Sequence, residues 1–222
     1  MKKIGLFALL MAFSGIIWAQ EKEIVSKKGK TLIFVNQDPD LNPEVKEGLI
    51  KTYFKVYPKM SKDFNPLAID TIEVTIDTAY TGVAYANNGK ITISSAWLKK
   101  KPQDLDVITH ETFHIVQAYP NNSGPGWLTE GIADYARFKY GVNNKKADWS
   151  LTEFSPEQNY ENSYRIAARF LYWLTQNYDK KIVHKLDTTM RDKTFSPELW
   201  KEYTGKSLDE LWDQYSKNPK LS

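Results

Sequence analysis

Cysteine is absent from this chain of 222 residues. Disulfides are thereby excluded, so packing and bound metal are the only devices left to hold the fold. A lipid anchor on an N-terminal cysteine is excluded with them. Histidine is nearly as scarce, with three in all. A strong charge imbalance is also missing, since 30 Lys and Arg stand against 27 Asp and Glu. Two of those lysines lie in the first nineteen residues, which carry no acid, so the remainder holds 28 basic and 27 acidic residues, or +1. Nothing in that balance calls for nucleic acid or a charged membrane as partner. No apolar run reaches the about 20 residues that a spanning helix needs. No repeat, low-complexity tract or linker interrupts the chain. Its length suits one domain with a sizeable core, and 41% hydrophobic with 26% charged residues is ordinary for a globular protein.

What is present begins with a leader. Lys2 and Lys3 precede an apolar run from Ile4 to Ile17, followed by Trp18-Ala19-Gln20. A basic start, a short apolar segment and a small residue describe a secretory signal peptide. Cleavage is expected after Ala19, giving a secreted or periplasmic protein with no membrane insertion. Residues 20–30 are polar and read as a flexible lead-in, and 31–222 as a single domain that works as a monomer.

Strands come first. Thr31–Val35 is β-rich and ends at Asn36, Asp38 and Pro39; Ile72–Ile76 alternates apolar and polar. Gly82–Ala86 and Lys90–Ser94 flank Asn87-Asn88-Gly89, a hairpin signal. Between the first two strands, Asn42-Pro43 starts a helix with apolar spacing up to Pro58. Ala96–Lys101 is a short helical or irregular link. From Gln103 the pattern is helical: 103–119, 127–140, 157–178, then shorter helices over 181–190, 197–203 and 208–216, with a polar connection at 141–156. Strands followed by helices predict an α+β domain.

The first of those later helices carries His110-Glu111-Thr112-Phe113-His114, an H-E-x-x-H motif. Residues four apart share a helix face, so His110 and His114 can address one Zn2+ ion. Glu111, about 100° further round the helix, falls beside the metal, where it can take a proton from an activated water of pKa about 7. A catalytic site needs one more ligand and an open position. Glu130, sixteen residues after His114 on the next helix, is the natural third ligand. Asp134, one turn further, suits the hydrogen bond that orients a metal-bound histidine; the alternative is that Asp134 itself binds the metal. The flanking Val107, Ile108, Phe113, Ile115 and Val116 put the motif near a core.

At these residues the sequence resembles known peptidases. HETFH with the later WLTEGIADY resembles the gluzincin pattern, in which the Glu after W-L-x is the third zinc ligand. HETFHIVQ, GPGWLTEGIADYAR and SYRIAARFLYWL resemble the basic secretory protein family of plant and bacterial peptidases. The resemblance implies zinc ligands His110, His114 and Glu130 and catalytic Glu111. It also implies a zincin-like fold: a small N-terminal mixed sheet with an edge strand above the metal helix, and a helical C-terminal half. The hairpin would supply that strand, with Gly82, Val83, Ala84 and Tyr85 pairing with a peptide or protein substrate as an added strand.

Hydrolysis also needs an oxyanion donor besides zinc. Tyr164 is the favoured candidate. His184 is a second, although its lysine-rich surroundings suggest a surface residue. Arg165 and Arg169 are candidates for a substrate carboxylate, against the commoner use in ion pairs. The expected protein is a secreted zinc peptidase. The runner-up is a glycan- or surface-binding protein that keeps zinc as a staple and presents a row of exposed tryptophans and tyrosines. A hydrolase of glycoproteins or peptidoglycan peptides lies between them.

Overall fold

The computed structural model describes residues 21–221; the expected signal segment 1–19 lies outside the described residues. Period-two apolar positions make the sheet. Leu32 and Phe34, Ile72, Val74 and Ile76, and Ile91 and Ile93 are all buried on the core side. The strands are β1 (Glu21–Lys27), β2 (Lys30–Asn36), β3 (Thr71–Asp77), β4 (Ala84–Asn87) and β5 (Lys90–Ser94). Their order is β1-β2-β3-β5-β4. The central β2, β3 and β5 run parallel, and each outer strand is antiparallel to its neighbour. The sheet is therefore mixed, with β4 on one edge.

The expected lead-in is largely β1, paired with β2 from Glu21↔Asn36 to Lys27↔Lys30. Its polar sequence hid it, because an edge strand needs backbone partners more than an apolar face. Lys28 and Gly29, both at positive φ (54° and 74°), make the tight turn, and Lys46 reaches across to Glu21 and Glu23. At the other edge, Asn88 and Gly89 take φ of 47° and 76°, again a left-handed pair, and β4 starts at Ala84, two residues after Gly82.

Helix α1 (Pro43–Phe64) links β2 to β3, and the Asn42 side chain caps it by accepting from the Glu44 N–H. It does not stop at Pro58. The missing hydrogen bond and ring clash cost about 3 kcal/mol. Beyond the proline, however, Met60 and Phe64 are buried, and each such side chain contributes about 1.5–3 kcal/mol. Continuing the helix therefore wins.

The remaining helices are α2 (Ser95–Lys100), α3 (Val107–Gln117), α4 (Gly126–Tyr140), α5 (Tyr164–Asn177), α6 (Ile182–Arg191), α7 (Leu199–Thr204) and α8 (Leu208–Lys217). Two begin well after the predicted start, by four and seven residues. α3 starts at Val107 rather than Gln103, because buried Asp106 turns its carboxylate to the Thr109 hydroxyl and to the N–H groups of Val142 and Asn143. α5 starts at Tyr164 rather than Glu157. A 3-10 turn at Tyr160–Asn162 is closed by an Asn159–Asn162 capping box, and Ser163 and Tyr164 have φ of 69° and 46°, which breaks the helical run.

α3 lies against β4 on one side and packs on α1 and α4; α4 packs on α5. The last contact is close. A Cβ at Gly131 would stand 2.7 Å from the Ala167 Cβ. Glycine at 131 thus sets how deeply α4 seats, one residue after Glu130.

Candidate metal centre

α3 is buried nearly all round. Val107, Ile108, Phe113, Ile115 and Val116 are buried, and Phe113 meets Phe64 of α1 edge-on at 4.9 Å. The polar strip that remains faces a cavity of about 1080 Å³ between α3, α4, β4 and the start of α5. Ala118 at φ 46° ends the helix and lets the chain turn back towards α4.

His110 Nε2 and His114 Nε2 lie 3.1 Å apart. Glu130 Oε2 stands 3.2 Å from the first and 3.5 Å from the second. Three ligands about 2.05 Å from a tetrahedral zinc ion would be separated by about 3.3 Å, so the triangle has the size of such a site. The other ring nitrogens are already engaged. His110 Nδ1–H donates to Asp134 Oδ1 at 2.7 Å. His114 Nδ1–H donates to Gln117 Oε1 at 2.7 Å, and Gln117 Nε2–H in turn donates to the Thr129 carbonyl at 2.9 Å. With protons on both Nδ1 atoms, both Nε2 lone pairs and a carboxylate oxygen converge on one point. Left bare, those atoms would repel one another, so the set needs either a proton on a ring nitrogen or a cation at that point, and it fits a divalent metal.

Electrostatics agree. Burial pulls the His110 pKa down, but Asp134, Glu130 and Glu111 outweigh it and push it up to about 10 in the metal-free chain. Burial opposes ionisation of Glu130, yet the two imidazoles hold its carboxyl far below the usual range. Glu111 behaves differently: burial lifts its pKa, only partly offset by the histidines, and its Oε2 is buried without a hydrogen-bond partner. Asp134 faces the ring nitrogen opposite to the one near Glu130, so it lies outside the three-atom cluster formed by His110, His114 and Glu130.

The cavity wall includes Val83, Ala84 and Tyr85 but not Gly82, which sits under the Tyr80 ring. Tyr164 lines it too. Its ring lies nearly parallel to that of His110 at 6.2 Å, it is 54% exposed, and the charge of Glu130 is the main cause of its raised pKa. Arg165 is a lining residue; Arg169 is not. Arg169 is buried and donates twice to Glu153, tying down the 141–156 connection. His184 is neither a surface residue nor near the cluster. It stacks on Phe64 at 3.9 Å, half-buried, with burial lowering its pKa. Trp97, Trp127, Trp149, Trp173, Trp200 and Trp212 are all buried or half-buried, so among the described residues the exposed large aromatics are Tyr85 and Tyr164, both of which line the cavity.

Gln117 and Tyr80 escaped the sequence reading. The signal for Gln117 was its position, three residues after His114 and hence on the same face. Tyr80, which packs against Tyr85 at 5.1 Å, sits in a turn and carried no local signal.

A family model described as "Peptidase of plants and bacteria" matches residues 33–215. No curated protein matches the chain. Among solved structures, an M1 zinc metallopeptidase from Deinococcus radiodurans is similar over 92% of this chain and 53% of its own, with 12% identity and a TM-score of 0.52. Aminopeptidase A of Legionella pneumophila, solved with aspartic acid, gives 14% identity and 0.57 over 88% of this chain and 27% of its own. An aminopeptidase N family protein from Idiomarina loihiensis gives 10% and 0.56 over 89% and 46%. The chain thus spans about half or less of the structures it resembles. It shares with them the zincin-like α+β fold.

Proposed function

Because the chain belongs to the family of peptidases of plants and bacteria, we propose that it hydrolyses peptide bonds with one zinc ion held by His110, His114 and Glu130. The observation that carries this is the triangle of donor atoms, 3.1–3.5 Å on a side, with both Nδ1 protons committed elsewhere. Bound there, zinc would supply a Lewis acid that polarises the scissile carbonyl and acidifies water.

The chain's own groups do the rest. Glu111, with one carboxylate oxygen unpartnered and its basicity raised by burial, takes a proton from the attacking water. It then passes that proton to the departing amine. Asp134 and Gln117 hold the imidazoles in the ligating tautomer. Tyr164 donates its O–H to the oxygen on which charge develops. The substrate backbone lies along the free edge of β4 at Val83–Tyr85 as an added strand. Export through residues 1–19 completes the proposal; N-terminal sequencing of the protein from culture medium or periplasm would start at Gln20. Among the described residues no helix is long and apolar enough to cross a membrane.

The decisive experiment is Glu111→Gln. The variant should retain about one zinc per chain by elemental analysis and lose activity on casein by about 10²–10⁴-fold. A chelator should abolish wild-type cleavage, and added zinc should restore it. Casein cleaved at the wild-type rate by Glu111→Gln would overturn the mechanism.

A further inference from the structure

α3 ends at Gln117, and its last carbonyls have no partner within the helix. Two side chains from other elements meet them. Asn65 Nδ2–H donates to the Val116 carbonyl at 2.8 Å, and Arg191 Nη1–H reaches the carbonyls of Val116 and Gln117 at 3.4 Å each. Arg191 Nη2–H donates to Asp187 Oδ2 at 2.6 Å, and the other oxygen of Asp187 accepts from the Tyr119 hydroxyl at 2.8 Å. Asp187 is fully buried. Burial lifts its carboxyl to about 6, with Arg191 and Tyr119 opposing, so it is ionised at neutral pH. A buried ion is costly to keep, and no catalytic step uses this one.

Hydrogen-bond polarity links it to the metal centre. An ionised carboxylate only accepts, and a phenol has a single proton. Tyr119 gives that proton to Asp187, so its oxygen is left to accept. Burial, and after it the Asp187 charge, hold the hydroxyl protonated, while the Gln117 amide opposes them, as an N–H facing the phenol oxygen does. Gln117 Nε2–H also donates to the Thr129 carbonyl at 2.9 Å. With two oxygens on its nitrogen side the amide cannot flip. Its Oε1 is thereby committed to accept from His114 Nδ1–H at 2.7 Å.

We propose that Asp187, acting through Tyr119 and Gln117, is a positioning residue for His114. It sets the direction of a hydrogen-bond chain that keeps the proton on Nδ1 and leaves the Nε2 lone pair for the metal. Arg191 keeps the carboxylate paired and seats the end of α3. The role rests on the reading of His114 as a zinc ligand.

The test reads zinc affinity by competition with a chromophoric chelator. Asp187→Asn leaves buried Arg191 without its carboxylate, so Tyr119→Phe, which keeps that pair and removes only the link, is the deciding variant. It should weaken zinc binding by about 5-fold, the scale of one net hydrogen bond. Gln117→Ala, which takes away the partner of His114, should weaken it by about 10–100-fold. Because Tyr119 works through Gln117, adding Tyr119→Phe to Gln117→Ala should cause no further loss, whereas a merely structural role would cost the same in both backgrounds. In nitrogen-15 spectra of the zinc-loaded proteins, the His114 Nδ1–H proton should exchange with water faster in Tyr119→Phe than in wild type. Wild-type affinity and exchange in Tyr119→Phe, or an equal loss with Gln117→Ala already present, overturns the positioning role and leaves the zinc site standing. A wild type that binds no zinc overturns the metal site itself, and this role with it.

Discussion

At the residue scale, the centre depends on who holds each proton. In the metal-free chain His110 keeps its second proton up to about pH 10 because Asp134, Glu130 and Glu111 surround it. A ligating histidine must be neutral, so zinc has to displace that proton. Below pH 10 the apparent zinc affinity should thus rise by about tenfold per pH unit, provided nothing else titrates. Calorimetry in buffers of different ionisation enthalpy should register about one proton released per zinc at neutral pH; release of none would show that His110 is neutral beforehand. The sign for stability follows from the same shift. The pKa is raised over its ordinary value of 6.5, so the contribution of protonated His110 to the metal-free fold is fully present below about pH 6.5 and is lost as pH climbs through 10. Asp134 acts through His110, and Asp134→Asn should weaken zinc binding by about 10–100-fold, measured by competition with a chromophoric chelator. An unchanged affinity would remove Asp134 from its orienting role. The closeness of His110 and His114 was readable from spacing, because a helix brings i and i+4 together regardless of context. Gln117 and Tyr80 were not readable, because an amide and a phenol have many ordinary uses and only the folded surroundings give them this one.

At the element scale, the site depends on how two helices are seated. α3 supplies both histidines and Glu111, the proposed base, and α4 supplies Glu130 and Asp134. Their relative depth is set on the far side of α4, where Gly131 allows close approach to Ala167 of α5. Gly131→Val should overpack this contact and destabilise the protein by about 1–3 kcal/mol, visible as a lowered melting midpoint, and should weaken zinc binding as Glu130 is pushed out of place. Normal stability and affinity in this variant would mean that the helices have slack. The C-terminus of α3 is held by another device. Arg191 of α6 donates to the carbonyls of Val116 and Gln117, and of Phe64 at the end of α1, while paired with buried Asp187. Element boundaries were the least legible part of the sequence. β1 has a polar composition, Pro58 reads locally as a stop, and residues 157–163 carry helix-like spacing. Each was decided by partners distant in sequence: the β2 backbone, the core around Phe64, and the turn closed by Asn159.

At the scale of the whole molecule, one ion would tie the two helices together in a chain without disulfides. At free zinc about a thousand times the dissociation constant, linkage contributes about 4 kcal/mol, and a domain of this size shifts by about 2–4 °C per kcal/mol. Chelation should therefore lower the melting midpoint by about 8–16 °C. No shift on chelation, with zinc shown to be bound beforehand, would mean that the ion binds folded and unfolded chains alike. The sheet takes part at the same scale. Strand order β1-β2-β3-β5-β4 leaves β4 with one free edge, and α3 lies beside it, so the cleft is bounded by an open row of backbone groups and the metal helix.

The sequence by itself determined the candidate metal donors and the class of fold. Three histidines, two of them four apart with a glutamate between, and a carboxylate pair on the next helix are local patterns, and local geometry suffices to read them. Strands preceding helices pointed in the same way to an α+β domain. Only the tertiary structure decided which atoms meet. It placed Glu130 rather than Asp134 in the donor triangle, because each carboxylate reaches a different nitrogen of the same His110 ring. It removed His184 and Arg169 from the site, because packing gave them Phe64 and Glu153 as neighbours. It also brought Tyr119, Asp187 and Arg191 together at the end of α3, since convergence of residues tens of positions apart is a property of packed helices and loops, which no local period encodes.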